Sequence, residues 1–325
     1  MRTLPPRRRF RPALLTVGAA ALAVTAALVL PQSAGAAETA PVGFGAGTTG
    51  GGGATAVTVT TLAAFKTAVT GDTAKVVKVS GLIPLSGQVD IGSNTTVLGV
   101  GSASGFTGGG LRLKKVTNVV VRNLNISKPV APADGITVQA STKVWIDHNA
   151  FSSDRDHGKD YYDGLVDITH ASDYVTVSWN TFKDHYKGSL VGHSDSNASE
   201  DTGHLRVTYH HNWFNNVNSR IPSLRFGTGH FYDNYVVGAD TAVHSRMGAQ
   251  MLVENNVFRS TAVAVTTNRD SDVDGHANLS GNDLGGAATE ISQVGTFTKP
   301  PYSYTAEPSS IVVASVTAGA GTGKL

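Results

Sequence analysis

The 325-residue sequence predicts an all-β protein, a right-handed single-stranded parallel β-helix with a short amino-terminal capping helix. Three observations carry that prediction. The composition combines 37 glycines, 12 prolines and only 15% charged residues with abundant Val, Thr, Ser and Asn, a mixture of strand formers and turn formers. An Asn followed within two residues by a large apolar side chain recurs after strand-like runs, as in Asn149-Ala-Phe151, Asn180-Thr-Phe182, Asn212-Trp-Phe214, Asn234-Tyr235 and Asn256-Val-Phe258, with Asn125-Ile126 before them. The intervals between these asparagines are 24, 31, 32, 22 and 22 residues. Three short strands and three turns need about 22 residues, one coil of a solenoid, so the longer intervals read as loop insertions. Stacked Asn amides would form an internal hydrogen-bond ladder, with the apolar neighbours stacking beside them. A β-sandwich, the competing architecture, gives no reason for Asn-x-aromatic at coil spacing.

In chain order, Arg2, Arg7, Arg8, Arg9 and Arg11 form a basic head before an apolar run from Ala13 to Leu30, closed by Ala34-Gly35-Ala36. That order reads as a secretory signal peptide over residues 1–36, against a retained membrane anchor of about 18 residues. Export would leave a single β-helical domain, 37–325, outside the cell and off the membrane. A Gly-rich lead-in, Gly43 to Gly53, precedes a helix over Thr61–Val69 with Thr60 or Thr61 as N-cap. Short β-branched runs such as Val76–Val79, Thr96–Val100 and Val119–Val121 follow. The tail after Lys299 reads as an arm along the helix that frays at its Gly-rich end.

Charge and cysteine content exclude some classes. The net charge of +2 includes the five leader arginines; without them it is −3, which gives no case for nucleic-acid binding. There are no cysteines, so no disulfide supports an exported fold. A self-sufficient solenoid of this length is expected to be a monomer.

The long intervals carry polar residues outside the repeat: Asp134-Gly135, Asp163-Gly164 through Asp167, Lys187-Gly188, and Arg220 through Arg225. Were each to begin the equivalent strand of successive coils, they would lie about 4.8 Å apart as one strip of three carboxylates, one Lys and two Arg. Three aspartates suit a hard cation such as Ca²⁺, which takes oxygen ligands in flexible geometry. Asp163 and Asp167 in an extended strand would stand about 13 Å apart, so the chain must bend, with Gly164 as the permissive residue. The plain reading of a lone Asp-Gly is a turn.

Trp145-Ile-Asp-His148, Tyr162-Asp163 to Asp167-Ile168, Asp184-His-Tyr-Lys187 and Arg220-Ile-Pro222-Ser-Leu-Arg225 resemble the signature segments of polysaccharide lyase family 1 pectate lyases, in order from about Gly43 to Tyr304. The resemblance implies a secreted enzyme that cleaves polygalacturonate by β-elimination, endo-acting, with Ca²⁺ as cofactor. It implies that Asp134, Asp163 and Asp167 bind calcium, that Lys187 and Arg225 hold the uronate, and that Arg220 is the proton-abstracting base. Arginine normally keeps its proton, so that role implies an alkaline optimum. A pectin lyase, a β-helical glycoside hydrolase and a non-catalytic polysaccharide binder are the alternatives. The first would lack the calcium acids, the second leaves the Lys-Arg-Arg set unexplained, and the third would not shorten its polymer.

The remaining conspicuous residues read as packing. His148, Trp179 and His211 share one repeat position and are expected to stack. Trp145, Trp179 and Trp213 are expected to pack rather than to bind sugar. The adjacent His210 and His211 are expected on opposite faces of a strand.

Overall fold

The computed structural model describes residues 1–4 and 37–325. The chain divides into a unit Met1–Ser33 and a unit Ala34–Leu325. The apolar run of the expected leader lies outside the described residues. Among the described residues no helix is long and apolar enough to cross a membrane.

Residues 56–290 wind into the parallel solenoid that the Asn repeat predicts. Ten strands stack in one parallel sheet, from Ala56–Val59 to His276–Ser280. The other strands form two further stacks, joined because the long strand Gly105–Lys114 pairs with Asn125–Ser127 through one half and with Ile136–Gln139 through the other. Every paired strand in these ladders runs parallel, and the crossovers are right-handed, as parallel connections are. Inward positions form one apolar column per face. Phe151, Phe182 and Phe214 are fully buried and stack at 4.9 and 4.5 Å between ring centroids. The helix Leu62–Val69, capped by Thr61 Oγ1 accepting from the Ala64 N–H, buries Phe65 and Val69 over the first coils.

The ladder is real, and its register differs from the sequence reading by one residue at the start. Asn149, Asn180, Asn212, Asn234 and Asn256 are buried. Each side-chain oxygen accepts from the backbone N–H of the residue one coil earlier, and each amide donates to the next Asn at about 3.0 Å. Asn282 extends the series by one coil. At the other end it is the Leu124 N–H, not Asn125, that meets the Asn149 carbonyl oxygen. Asn125 instead points outward and donates to Ser102 and Ser104 carbonyls, because its own strand register pairs it with Ala150.

The residue before each ladder Asn is left-handed: His148, Trp179, His211, Asp233 and Asn255 have φ between 51 and 53°. That conformation turns the chain from one sheet into the next. It also overturns the expectation for His210 and His211. The strict alternation of a strand is lost at His211, and the two rings meet, Nδ1 to Nδ1 at 3.0 Å. His148 stacks on Trp179 at 5.8 Å and Trp179 on His211 at 4.1 Å, as expected, while His148 Nδ1 also bonds Asp147 at 2.6 Å. The three tryptophans pack. Trp145 is buried and donates to Ser178, and Trp213 stacks along Tyr235.

Both terminal arms lie on the outer surface of the solenoid. Gly43 and Gly45 press against Thr208 and Thr176, where a Cβ would come within 3.0 Å of their hydroxyls. The tail does not fray. It forms the helix Ser309–Gly319, buries Val312 and Val316, and continues until Gly323 donates to Asn123 Oδ1 at 2.6 Å.

Candidate active site

Pairing between Val166–Thr169 and the adjacent strands sets Asp167 beside Thr137 and Ile168 beside Val191, and the next pairing sets Leu190 beside Ser223. Carrying the first two registers back into the preceding turn aligns Asp134, Gly164 and Lys187 across three successive coils; Lys187 pairs with Ser219 on the fourth, so Arg220 stands one residue beyond the column. Hydrogen bonds bear this out: Gly164 N donates to Asp134 Oδ1 at 3.0 Å, and Gly188 N donates to Ser219 O at 2.9 Å. The expected single strip is therefore only partly formed. Asp163 sits one residue before the column, Asp167 three after it, and Arg225 lies at the far end of Ser223–Arg225, in register with Arg246.

Asp163 and Asp167 nevertheless belong to one site, for a reason different from the expected bend. Gly164 has no unusual φ. Asp167 folds back over it, so that a Cβ on Gly164 would lie 2.3 Å from Asp167 Oδ1. The absent side chain makes room for a carboxylate rather than for a turn. Gly164 N also donates to Asp163 Oδ1 at 3.1 Å, which brings the Asp134 and Asp163 carboxylates to one N–H. Leu190 N donates to Asp167 Oδ1 at 3.0 Å, and Thr137 Oγ1 donates to Asp134 Oδ2 at 2.6 Å.

Burial, reinforced by the charge of Asp167, pushes Asp134 up to about 8. Burial also pushes Asp167 up to about 6, against the opposing pull of the Leu190 N–H and of Arg220. The site thus holds more carboxylate than its own cations and donors neutralise. An oxygen-only set with excess negative charge fits a hard divalent cation. The set is not a closed cage: among the described residues no three acidic or histidine side chains close round one centre. Asp163 leans instead to Lys187 Nζ at 3.1 Å, and Asp160 reaches the same ammonium at 3.4 Å.

The basic residues differ in freedom. Lys187 is largely enclosed by Asp160 and Asp163. Arg220 is half-buried with φ 59°, a backbone state disfavoured for a bulky residue, and among the described residues its guanidinium makes no hydrogen bond or ion pair. Arg225 is buried, its Nε bonded to Asp195 and one Nη1–H to the Gly192 carbonyl at 2.8 Å. The sequence reading missed Asp195, which also accepts from Ser271 at 2.6 Å and lies 3.5 Å from Arg246. It missed Arg246 as well. The one available signal was position, because Asp195 lies in the long interval that also supplies Lys187.

His185 supports the acids from behind. Its Nε2 donates to the Asp163 carbonyl at 2.7 Å, and Nδ1 accepts from Ser153 at 2.8 Å. Burial holds this imidazole down at about 4, so it stays neutral and in one tautomer.

The comparisons with known proteins agree with this geometry. A family model described as pectate lyase matches residues 14–325. Pectate lyase B of Colletotrichum gloeosporioides is 52% identical over 283 residues, 86% of this chain and 85% of that protein. Pectate lyase A of Aspergillus niger is 50% identical over 277 residues, 85% and 84% of the two chains. Among solved structures, a pectate lyase from Bacillus sp. N165 in complex with trigalacturonate superposes with a TM-score of 0.80 at 34% identity, covering 87% of this chain and 99% of that one. The solenoid, the acids gathered on Gly164 and the agreement along nearly the whole described chain converge on one assignment: the chain belongs to the pectate lyase family.

Proposed function

We propose that this enzyme is a secreted, calcium-dependent pectate lyase that cleaves 1,4-linked α-D-galacturonan by endo β-elimination, releasing 4,5-unsaturated oligogalacturonates. The observation that carries the proposal is the column Asp134–Gly164–Lys187 with Arg220 one residue beyond it, where the carboxylates gathered on Gly164 adjoin a guanidinium that makes no hydrogen bond or ion pair among the described residues. Secretion rests on the leader-like order of residues 1–36. Endo attack rests on position: the column lies on the flank of the solenoid, between coils on either side, where a long polymer can lie across it. The same self-contained coils support a monomer.

Asp134, Asp163 and Asp167 are the residues that would hold calcium. When bound, the cation supplies positive charge to the substrate carboxylate, where negative charge accumulates as the C5 proton leaves. Lys187 offers an ammonium at the same carboxylate, exchanging its contacts with Asp160 and Asp163 for the uronate. Arg225 retains donors beyond those given to Asp195 and Gly192, and these hold the uronate in register. Arg220, in its unprotonated form, takes the C5 proton, the electron pair left on C5 forms the C4–C5 double bond, and the C4 glycosidic oxygen departs with a proton taken from water. Fixed charges at the point where charge develops need no rearrangement during the reaction.

The test is absorbance near 232 nm on polygalacturonate at alkaline pH, with calcium and then with excess chelator. A rise that chelation abolishes is expected. Shortening of the polymer without absorbance would instead mark a hydrolase, and no change at all a binding protein.

A further inference from the structure

The segment Ser153–Tyr162 is an insertion between one coil and the next, and the reaction outlined above uses none of its aromatic side chains. It is tightly built. Asp154 accepts from Tyr162 Oη at 2.9 Å, from Lys128 Nζ at 2.9 Å and from His157 Nδ1 at 2.9 Å. His157 lies flat on Tyr161, with centroids 3.9 Å apart and planes 12° apart, and Tyr162 meets the Tyr161 ring edge-on at 4.8 Å. Despite this bracing Tyr161 is 47% exposed. A ring packed against two aromatic neighbours and still open to solvent is an unusual use of a large aromatic side chain.

The backbone decides which way it faces. Residues 161–163 run antiparallel to 129–131: Ala131 N donates to Tyr161 O, Asp163 N donates to Pro129 O, and Tyr162 bridges Val130. In such an extended stretch alternate side chains share a face. Tyr162 turns inward, 6% exposed, toward His185. Tyr161 and Asp163 therefore stand on the opposite, outer face, roughly 7 Å apart along the chain. The partner segment Val130–Ala133 lines a pocket of about 530 Å³ together with Gln88 and Arg112. Gln88 also donates to the Asp134 carbonyl at 3.4 Å, so the pocket adjoins the acids. This volume falls within the range of small-molecule sites.

We propose that Tyr161 is a specificity-determining residue, a platform on which a galacturonate unit flanking the reacting unit stacks. This rests on the proposed function, because the ligand is the same polymer. The flat apolar face of the ring covers the C–H face of the sugar, while its carboxylate faces toward Arg112, whose guanidinium also holds Asp90. Asp160, the preceding residue, ties this insertion to Lys187, so a chain bound at the column passes the ring.

The test uses the full-length enzyme with calcium and oligogalacturonates of two to six units, followed by elimination at 232 nm. Tyr161→Ala is expected to raise KM for long substrates about fivefold, the size of one aromatic stacking contact, with kcat within twofold. Tyr161→Phe is expected to retain wild-type KM. The penalty of Tyr161→Ala is expected to vanish for oligomers too short to reach the ring. An unchanged KM, or an equal penalty on every length, overturns the proposal. Tyr161→Leu keeps the bulk without the ring and gives the same reading should the alanine variant fold poorly. A wild-type enzyme that eliminates nothing would instead overturn the proposed function, so the two failures are distinguishable.

Discussion

At the scale of the residue, the acid site depends on what Gly164 lacks. Asp167 is near enough to the glycine that any side chain there must displace it. Gly164→Ala is expected to keep the fold, because the position has ordinary backbone torsions, and to lower elimination at least ~10-fold with a weaker calcium response. Comparing calcium titrations of wild type and variant checks it; an unchanged half-saturating calcium concentration would contradict the arrangement. The three aspartates themselves were legible as a set, because three acids outside a structural repeat need a reason. Their geometry was not. A glycine after an aspartate reads as a turn from sequence, and only the folded chain shows a carboxylate lying over it. Arg225 likewise was legible as a cation, but its counter-ion Asp195 comes 30 residues earlier, out of a loop with no repeat to align it.

At the scale of the element, the Asn ladder sets the coil-to-coil register. Asn212 accepts from the Asn180 backbone and side chain and donates to Asn234, Val177 and His210. Asn212→Ala strands several of these buried groups, and the expected cost is about 3 kcal/mol, measured as a lower urea midpoint with an unchanged slope. Asn282→Ala, at the half-buried end of the series, is expected to cost less than half of that. Equal costs at the two positions would mean that the ladder is incidental to stability. The repeat was visible because identical side chains recur at coil spacing. The start of the ladder was not, since Leu124 fills the first position and carries no amide to announce it.

At the scale of the whole molecule, both terminal arms bury acids against the solenoid. Glu38 of the amino-terminal arm is pushed up to about 7, chiefly by burial and then by the charge of Asp147. Asp233, fully buried and contacted by the Glu307 N–H of the carboxyl-terminal arm, is pushed up to about 8 by burial and by the charges of Glu307 and Glu254. Its Oδ1 has no hydrogen-bond partner among the described residues, which suits a protonated carboxyl. A folded pKa above the unfolded value of about 4 means a stabilising contribution that is complete below about pH 4 and lost as pH rises through about 8. Asp233→Asn removes that loss. The Tm difference between variant and wild type is expected to move in favour of the variant from pH 6 to pH 9, read by differential scanning calorimetry. A difference that stays flat across that range would show that Asp233 does not titrate there.

The sequence by itself determined the solenoid and its inward columns, because both follow from a periodic pattern, and it offered the acids and cations of the long intervals as candidates. Tertiary structure alone decided where those residues meet. The left-handed corner at His211 brings two histidine rings together that strand alternation would separate. The return of Asp167 over Gly164 closes a gap that extended geometry would leave open. The tail became a pinned helix because its apolar residues found Trp213 and Tyr235 beneath them. Contacts between distant segments have no local signature, and in this chain they assemble the site.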